Sequence, residues 1–357
     1  MNSVLVIGAG SIGNHLSYAC RQKGWSVDLY DNDPAALTRT SEEIYPSRYG
    51  QWDEGIRLLS EDSFKSHYDL AIVGTPPDTH LQIAGDLLAR VDLRYLLIEK
   101  PLCGPKLGGL DAFSLQVESS GCNVLVGYNH IFTKNTSLTE GIIKRESFGA
   151  PLSLHVRWLE HWGGIFAAHP WLSGPEASYL GHWARGGGAC GEHSHAISLW
   201  QYFSTYLGMG KISSVTSTMK MVDDGSVGYD ETAHLLVESE HGLVGSIIQD
   251  VVTAPAEKTM RIQFQQGFIE WRANFDSTHD AVLYAAEGKS EQLELIEKKR
   301  TDDFSGQIDH IEALLSGSKK FDQSPNTLAE GISVMNTISK AHESRQTGKA
   351  VDIEWHD

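Results

Sequence analysis

The stretch Ser3-Val4-Leu5-Val6-Ile7-Gly8-Ala9-Gly10-Ser11-Ile12-Gly13 decides how the first half of this 357-residue chain folds. Ser3–Ile7 is a continuous apolar run of strand length, the pattern of a strand buried on both faces of a parallel sheet. Ile12, Leu16, Ala19 and Cys20 follow at helical spacing, and Gly24 stands where a helix is closed by a left-handed glycine. A glycine turn between strand and helix lets backbone approach a pyrophosphate, with the N–H groups and positive dipole of the helix start aimed at it. In that reading Gly8 makes the tight turn, Gly10 permits the close approach and Gly13 the helix–strand contact. Ser11 and Ile12 lend their N–H groups. Asp31 closes the second strand, Ser26–Tyr30, 18 residues after Gly13, where an acid holds ribose hydroxyls. A carboxylate there repels a 2′-phosphate, and Asn32, Asp33 and Pro34 bring no arginine to pair one, so the expected cofactor is NAD rather than NADP.

Outward from that stretch, strand and helix patterns alternate through about residue 125, which predicts a doubly wound parallel sheet. The strands fall at Ser26–Tyr30, Asp69–Val73, Tyr95–Ile98 and Asn123–Val126; Asp33-Pro34 reads as an N-cap with proline at the first helical position. After Gly127 the character changes to several alternating strands, at Leu152–Glu160, Ile212–Val222, Ala233–Ser239, Leu243–Asp250, Arg261–Gln265, Phe268–Arg272 and Ala281–Ala285. They predict a large, open, mostly antiparallel sheet flanked by helices at Thr136–Arg145, Ala189–Tyr206, Ser305–Leu315 and Leu328–Glu343. The expected division is a Rossmann domain over 1–127 and an α/β substrate-binding and oligomerisation domain over 128–357.

Composition narrows the function. A net charge of −17 argues against nucleic acid, whose phosphates need a basic face. No apolar run reaches the roughly 20 residues of a membrane span, and Val4–Ile7 is a strand's length rather than a leader's core. The four cysteines show no metal-type spacing, so the expectations are a reduced, cytoplasmic setting, no metal, no membrane, and a small-molecule partner.

Two further segments carry chemistry. Glu99-Lys100-Pro101 ends a parallel strand at the edge where open sheets hold ligands, and a lysine there can steady a developing alkoxide. Gly186-Gly187-Gly188-Ala189-Cys190-Gly191-Glu192-His193-Ser194-His195 places histidines early on a helix, and histidine is the side chain whose proton affinity lies near working pH. His193 and His195 diverge by roughly 200° if both lie on that helix, so one of them faces the reacting centre, and we take His195.

In order along the chain, Gly8–Gly13, Gly74-Thr75-Pro76-Pro77-Asp78-Thr79-His80, Glu99-Lys100-Pro101, Gly127-Tyr128-Asn129-His130 and the triple glycine before His195 resemble the glucose-fructose oxidoreductase/inositol dehydrogenase (Gfo/Idh/MocA) family. The resemblance is detailed through residue 130, good from 183 to 208 and architectural beyond. It implies a Rossmann domain followed by an α/β domain whose open sheet often forms the subunit contact, in a dimer or tetramer. It implies oxidation of a ring hydroxyl of a sugar or cyclitol, or reduction of the ketone, with Lys100 on the reacting oxygen and His195 as acid/base. The family's aspartate upstream of the histidine is Glu192 here, whose role stays open. By the same resemblance Thr75, Pro76, His80, Glu99, Lys100 and Asn129 line the cofactor, and Tyr128 and Asn129 its nicotinamide end.

On the substrate side, Trp158, His169, Trp171, Trp183 and Arg185 precede or join the triple glycine. Aromatic faces stack on the C–H faces of sugar rings, and arginine can hold a phosphate or carboxylate; equally, tryptophans at this density serve cores and subunit contacts. The leading reading is an NAD-dependent dehydrogenase of a sugar, a sugar derivative (free or nucleotide-activated) or a cyclitol. The alternatives are a hydrolase or lyase that oxidises its substrate transiently, and a non-catalytic dinucleotide or sugar sensor.

Overall fold

A computed structural model describes residues 1–59, 63–167, 171–299 and 301–355. The chain forms two compact units. The first comprises Met1–Cys103, Leu107–Gly127 and Phe304–Gly331; the second Gly104–Lys106, Tyr128–Asp303 and Ile332–Asp357.

The first unit is built on six parallel strands: β1 (Ser3–Ile7), β2 (Ser26–Tyr30), β3 (Ile56–Leu59), β4 (His67–Val73), β5 (Asp92–Ile98) and β6 (Asn123–Val126). Their order is β3-β2-β1-β4-β5-β6, so the winding reverses between β1 and β4. Ligands of open α/β sheets sit at such a reversal, outside the carboxyl ends of the strands. The carboxyl-terminal parts of the central strands, Val4–Ile7, Leu70–Val73 and Tyr95–Ile98, are apolar because helices cover both faces: α1 (Ser11–Gln22), α2 (Pro34–Arg39), α3 (Tyr45–Tyr49), α4 (His80–Arg90) and α5 (Leu110–Ser120). Asp33 caps α2 as its sequence predicts, accepting the Ala35 N–H at 2.9 Å.

A late segment returns to this unit. The helix Asp302–Leu315 sends Phe304, Ile308, Ile311, Leu314 and Leu315 into the core that holds Leu16, Cys20 and Tyr95. Lys23 of α1 meets its Asp309 and Glu312 at 2.5 and 2.8 Å. Beyond it, Asn326 exchanges backbone and side-chain hydrogen bonds with Val126, and Thr327 bridges Leu125, extending the sheet past β6. A single cut at residue 127 therefore does not describe the units, because a helix's periodicity shows that it has an apolar face and not which core takes it.

The second unit carries a nine-stranded sheet ordered β14-β13-β12-β11-β7-β10-β9-β8-β15. Its strands are β7 (Pro151–Leu159), β8 (Ile212–Asp223), β9 (Gly228–Ser239), β10 (Val244–Asp250), β11 (Glu257–Phe264), β12 (Gly267–Ala273), β13 (His279–Ala286), β14 (Gln292–Glu297) and β15 (Val351–Asp352). Only β7 and β10 run parallel; the other neighbours are antiparallel. Along β7, Leu154, Val156 and Trp158 are buried while His155 and Arg157 are exposed, so one face meets the helices and the other is open. The helices α6 (Lys134–Arg145), α7 (Gly163–Ala167), α8 (Gly188–Glu192) and α9 (His195–Tyr206) belong to this unit, as does most of the helix Leu328–Thr347. The buried indole of Trp200 on α9 donates to Leu154 O at 2.9 Å, pinning the helix to the sheet.

Candidate active site

At the winding reversal, Gly8 has φ +106°, and a Cβ on it would meet Gly74 O at 2.8 Å, since the ends of β1 and β4 nearly touch. A Cβ on Gly13 would lie 1.9 Å from Gly8 O, which is why the helix can start so close to its strand. Around Gly10 nothing lies within 4 Å of a Cβ position, leaving room for a phosphate. The carbonyls of the loop are drawn inward: Thr40 donates its hydroxyl to Ala9 O at 2.6 Å, and Asn14 donates to Gly10 O at 2.9 Å. Helix α1 begins with no side-chain cap and no acid in its first turn, so its N–H groups and dipole are left for an anion. Both oxygens of Asp31 accept backbone N–H groups, Oδ2 from Ala9 at 2.8 Å and Oδ1 from Asp33 at 2.9 Å. Each oxygen keeps a second lone pair for a ribose hydroxyl, so the residues present fit the adenosine and pyrophosphate of NAD.

Next along the carboxyl edge, the Thr75 hydroxyl meets that of Thr79 at 2.8 Å, and Pro76 accepts from Thr79. His80, expected among the cofactor contacts, is instead fully buried. Its ring lies 2.7 Å from Thr75 O and 3.0 Å from Pro101 O, so it braces the loop after β4 against the loop after β5. Burial pushes its pKa down to about 4, so the neutral ring donates to one carbonyl. Lys100 is half-buried at the end of β5, and its bond to Pro101 is cis. Glu99 is buried with its carboxylate against Gly127, where a Cβ would come within 2.5 Å of Oε1.

In the second unit the triple-glycine loop is shaped by close packing. A Cβ on Gly187 would strike Tyr179 O at 2.1 Å, one on Gly191 would strike Gly186 O at 2.2 Å, and Gly188, at φ +75°, has Asp230 Oδ1 where its Cβ would point. Asp230 is fully buried and accepts the Cys190 N–H at 2.7 Å. Burial pushes its carboxyl up to about 7, against the pull of the Cys190 hydrogen bond and Arg345. The single helix expected over Ala189–Tyr206 is broken at His193-Ser194: Gln249 donates to His193 O at 2.7 Å, where that carbonyl also takes the Ala196 N–H, three residues on. His193 and His195 are thus separated by a change of helix, not merely by a turn. His193 is buried against the sheet, and His195 opens α9 with its ring half-buried.

An aromatic set surrounds the His195 ring. Trp158 stacks on it, with centroids 5.5 Å apart and planes at 27°; His130 meets it edge-on at 4.7 Å and Tyr128 at 5.9 Å. His130 also stands edge-on to Trp158 at 4.7 Å and Trp271 at 6.2 Å. The Trp271 indole donates to Thr136 Oγ1 at 3.0 Å, and that hydroxyl donates to His130 O at 2.8 Å. Trp158, expected to stack on a sugar, is 1% exposed; its faces are spent on His195 and Trp271, with the Lys258 ammonium 5.3 Å from its ring centre. Neither His130 nor Trp271 was singled out from sequence as a site residue, although His130 lies in a quoted motif. Glu192 accepts the Tyr179 hydroxyl at 2.8 Å. Trp183 stacks on His342 at 4.6 Å, with Lys106 near its ring, so at least one face is taken. Arg185 is half-buried and Trp171 exposed, while His169 lies outside the described residues. Asn129 is buried and donates to Asp303 O at 2.9 Å, a contact within its own unit. Among the described residues no helix is long and apolar enough to cross a membrane, and no group of three acidic, cysteine or histidine side chains is placed to hold a metal.

A dinucleotide-binding sheet with its glycine loop at the winding reversal, and a second unit presenting a histidine over a mixed sheet, define a two-unit oxidoreductase architecture. Comparison with known proteins agrees. Residues 2–128 match the oxidoreductase family with an NAD-binding Rossmann fold, and residues 139–270 match the GFO/IDH/MocA C-terminal domain. The chain belongs to the GFO/IDH/MocA family, and its first unit binds NAD. Among solved structures it is similar to levoglucosan dehydrogenase in complex with NADH and L-sorbose (TM-score 0.76, 17% identity, 99% of each chain covered). It is also similar to the WlbA dehydrogenase from Bordetella pertussis with NADH and UDP-GlcNAcA (TM-score 0.72, 16% identity, 99% of each chain). An oxidoreductase from Agrobacterium radiobacter with NAD+, L-tartaric acid and magnesium aligns at TM-score 0.75, with 15% identity over 98% of each chain. These likenesses establish the fold. No curated protein sequence matches the chain.

Proposed function

We propose that this oxidoreductase is an NAD-dependent dehydrogenase of a ring hydroxyl in a sugar, a sugar derivative or a cyclitol, working in either direction. The observation that carries the reading is the seating of His195: a half-buried imidazole at the start of a helix, fixed by three aromatic neighbours. A positioned base is what removal of a hydroxyl proton requires. The bound NAD supplies a two-electron acceptor for the carbinol C–H. His195 takes the hydroxyl proton in oxidation and returns one in reduction. Lys100 donates to the substrate oxygen and offsets the charge that grows there. Glu192, holding the Tyr179 hydroxyl, orders the loop that carries His195. That solved relatives are described with L-sorbose and UDP-GlcNAcA supports a carbohydrate substrate.

The test is a panel of free sugars, sugar acids, cyclitols and nucleotide-sugars, followed at 340 nm with NAD and, for ketones, with NADH. Turnover with one class, lowered about 100-fold or more by Lys100→Met while NAD still binds, is the expected result. Full turnover in that variant removes Lys100 from the chemistry. Binding without turnover across the panel points to a sensor, and substrate loss without net NADH to transient oxidation. The same reading has the chain assembling as a dimer or tetramer; the exposed Leu236 and Val244 on the open face of the sheet support it.

A further inference from the structure

Helix α1 starts at Ser11, the residue after the middle glycine of the loop. Arg48 of α3 reaches the first residue of this helix. Its Nη1 donates to Ser11 Oγ at 2.9 Å and lies 3.3 Å from Ser11 O. The arginine is not a loose surface side chain. His15, one turn further along α1, has its Nε2 3.5 Å from the same Nη1 and its Nδ1 2.5 Å from the hydroxyl of Tyr49, the residue after Arg48. The His15 ring is stacked on Phe304 at 4.6 Å and 9°, and the Tyr49 ring on Tyr18 at 4.0 Å and 7°. A stacked and hydrogen-bonded pair thus fixes the backbone from which Arg48 extends.

We propose that Arg48 and Ser11 form an anion clamp on the pyrophosphate of the bound dinucleotide. A serine hydroxyl that accepts from a guanidinium has its own proton left to give, and Ser11 is the first residue of α1, directly after Gly10 of the glycine loop. The guanidinium adds a fixed positive charge beside the helix dipole, and charge-assisted hydrogen bonds of this kind are the strong ones. The placement answers an electrostatic need: a chain of net charge −17 repels an anionic ligand at long range, and a local cation at the loop offsets that repulsion. The inference rests on the glycine loop being the seat of the dinucleotide, and it assigns to this chain a residue that no glycine motif contains.

Calorimetric titration of wild type, Arg48→Met, Arg48→Lys and Ser11→Ala with NAD and with ADP-ribose tests it, with adenosine as the ligand that lacks a pyrophosphate. Arg48→Met is expected to weaken NAD and ADP-ribose together, by about 10- to 100-fold, and to leave adenosine unchanged. Arg48→Lys recovers part of the loss, because it restores the charge without the fork. The wild-type affinity for ADP-ribose falls more steeply with salt than that of Arg48→Met. Ser11→Ala, which leaves the arginine in place, loses a smaller factor on ADP-ribose and none on adenosine, and it stands in if Arg48→Met does not fold. Unchanged ADP-ribose binding in the Arg48 and Ser11 variants, or an equal loss for adenosine, overturns the clamp. A loss confined to NADP overturns it too, since Arg48 would then serve the 2′-phosphate. A wild-type protein that binds neither NAD nor ADP-ribose instead removes the seat itself.

Discussion

Asp230→Asn isolates the buried acid under the histidine loop. The carboxyl is fully buried, one oxygen accepting the Cys190 N–H and the other pressed on Gly188, and burial raises its pKa from 3.8 to about 7. The sign follows from linkage: a group whose pKa is raised by folding favours the folded state while protonated. That contribution is whole below the unfolded pKa, shrinks as pH rises, and is gone once pH passes the folded pKa. The full swing is about 4 kcal/mol, of which about 2–3 kcal/mol falls between pH 5 and pH 8. Asparagine keeps an acceptor for Cys190 and has no charge to bury, so the variant lacks this term. Wild type and Asp230→Asn are to be unfolded in urea at pH 5, 6, 7 and 8 and followed by tryptophan fluorescence, which reports chiefly the second unit, where seven of the nine tryptophans lie. Taking the difference between the two proteins cancels the other titrating groups. The variant should gain on wild type steadily as pH rises, by roughly the 2–3 kcal/mol of that interval. A difference that stays flat from pH 5 to pH 8 refutes the reasoning, because the carboxyl would then be ionised, or neutral, throughout.

His80 has the opposite sign. Its pKa is lowered from 6.5 to about 4 by burial, so its contribution is present above pH 6.5 and is lost as pH falls through 4; His80→Gln should lack about 3 kcal/mol of the acid sensitivity that wild type shows between pH 7 and pH 3.5, read from urea midpoints. Asp31→Asn should weaken NAD and narrow its advantage over NADP in titrations of both cofactors, since one carboxylate oxygen is lost and the Ala9 or Asp33 N–H with it; an unchanged preference would turn that side chain away from the ribose. His130→Ala should lower kcat by roughly 10-fold with little change in KM, because the His195 ring loses an edge contact that holds its orientation. His130→Phe should restore most of it; equal loss in both variants would show that His130 acts through its nitrogens instead.

The cofactor loop was legible because its parts are close in sequence: strand, glycines, helix and Asp31 lie within 31 residues, and Gly13 abuts the backbone of Gly8, although the neighbour of Gly8, Gly74, is supplied by the fold. The triple glycine was legible as a motif but not in its physics. Besides its positive φ, what stands in the way of a side chain at Gly188 is Asp230, on β9, and the carbonyl of His193, where α8 ends, accepts from Gln249, on β10; both partners are joined to the loop only by the fold. The same holds for Trp158. Its density among neighbouring tryptophans suggested a sugar platform, yet the alternation of β7 already put Leu154, Val156 and Trp158 on one side, and burial of that side makes Trp158 a wall for His195. β14 escaped notice for the converse reason: on an edge strand, Leu293 and Leu295 remain exposed, so its alternation is not enforced by a core.

These failures share a cause with the one strong inference about chemistry. Residues proposed to act on a ligand stand out by type and spacing, whereas the residues that hold them are chosen by shape. His195 was proposed from its motif; His130, Trp271 and Thr136, which surround and brace it, are spread over 141 residues and three elements, linked by ring contacts and a relay from indole to hydroxyl to carbonyl. Arg48 and His80 follow the same rule in the first unit. Each is a polar side chain placed by packed rings or full burial beside the loops that present Ser11 and Lys100. Turnover should therefore prove sensitive to substitutions that touch no ligand, in proportion to how tightly each one's partner is held.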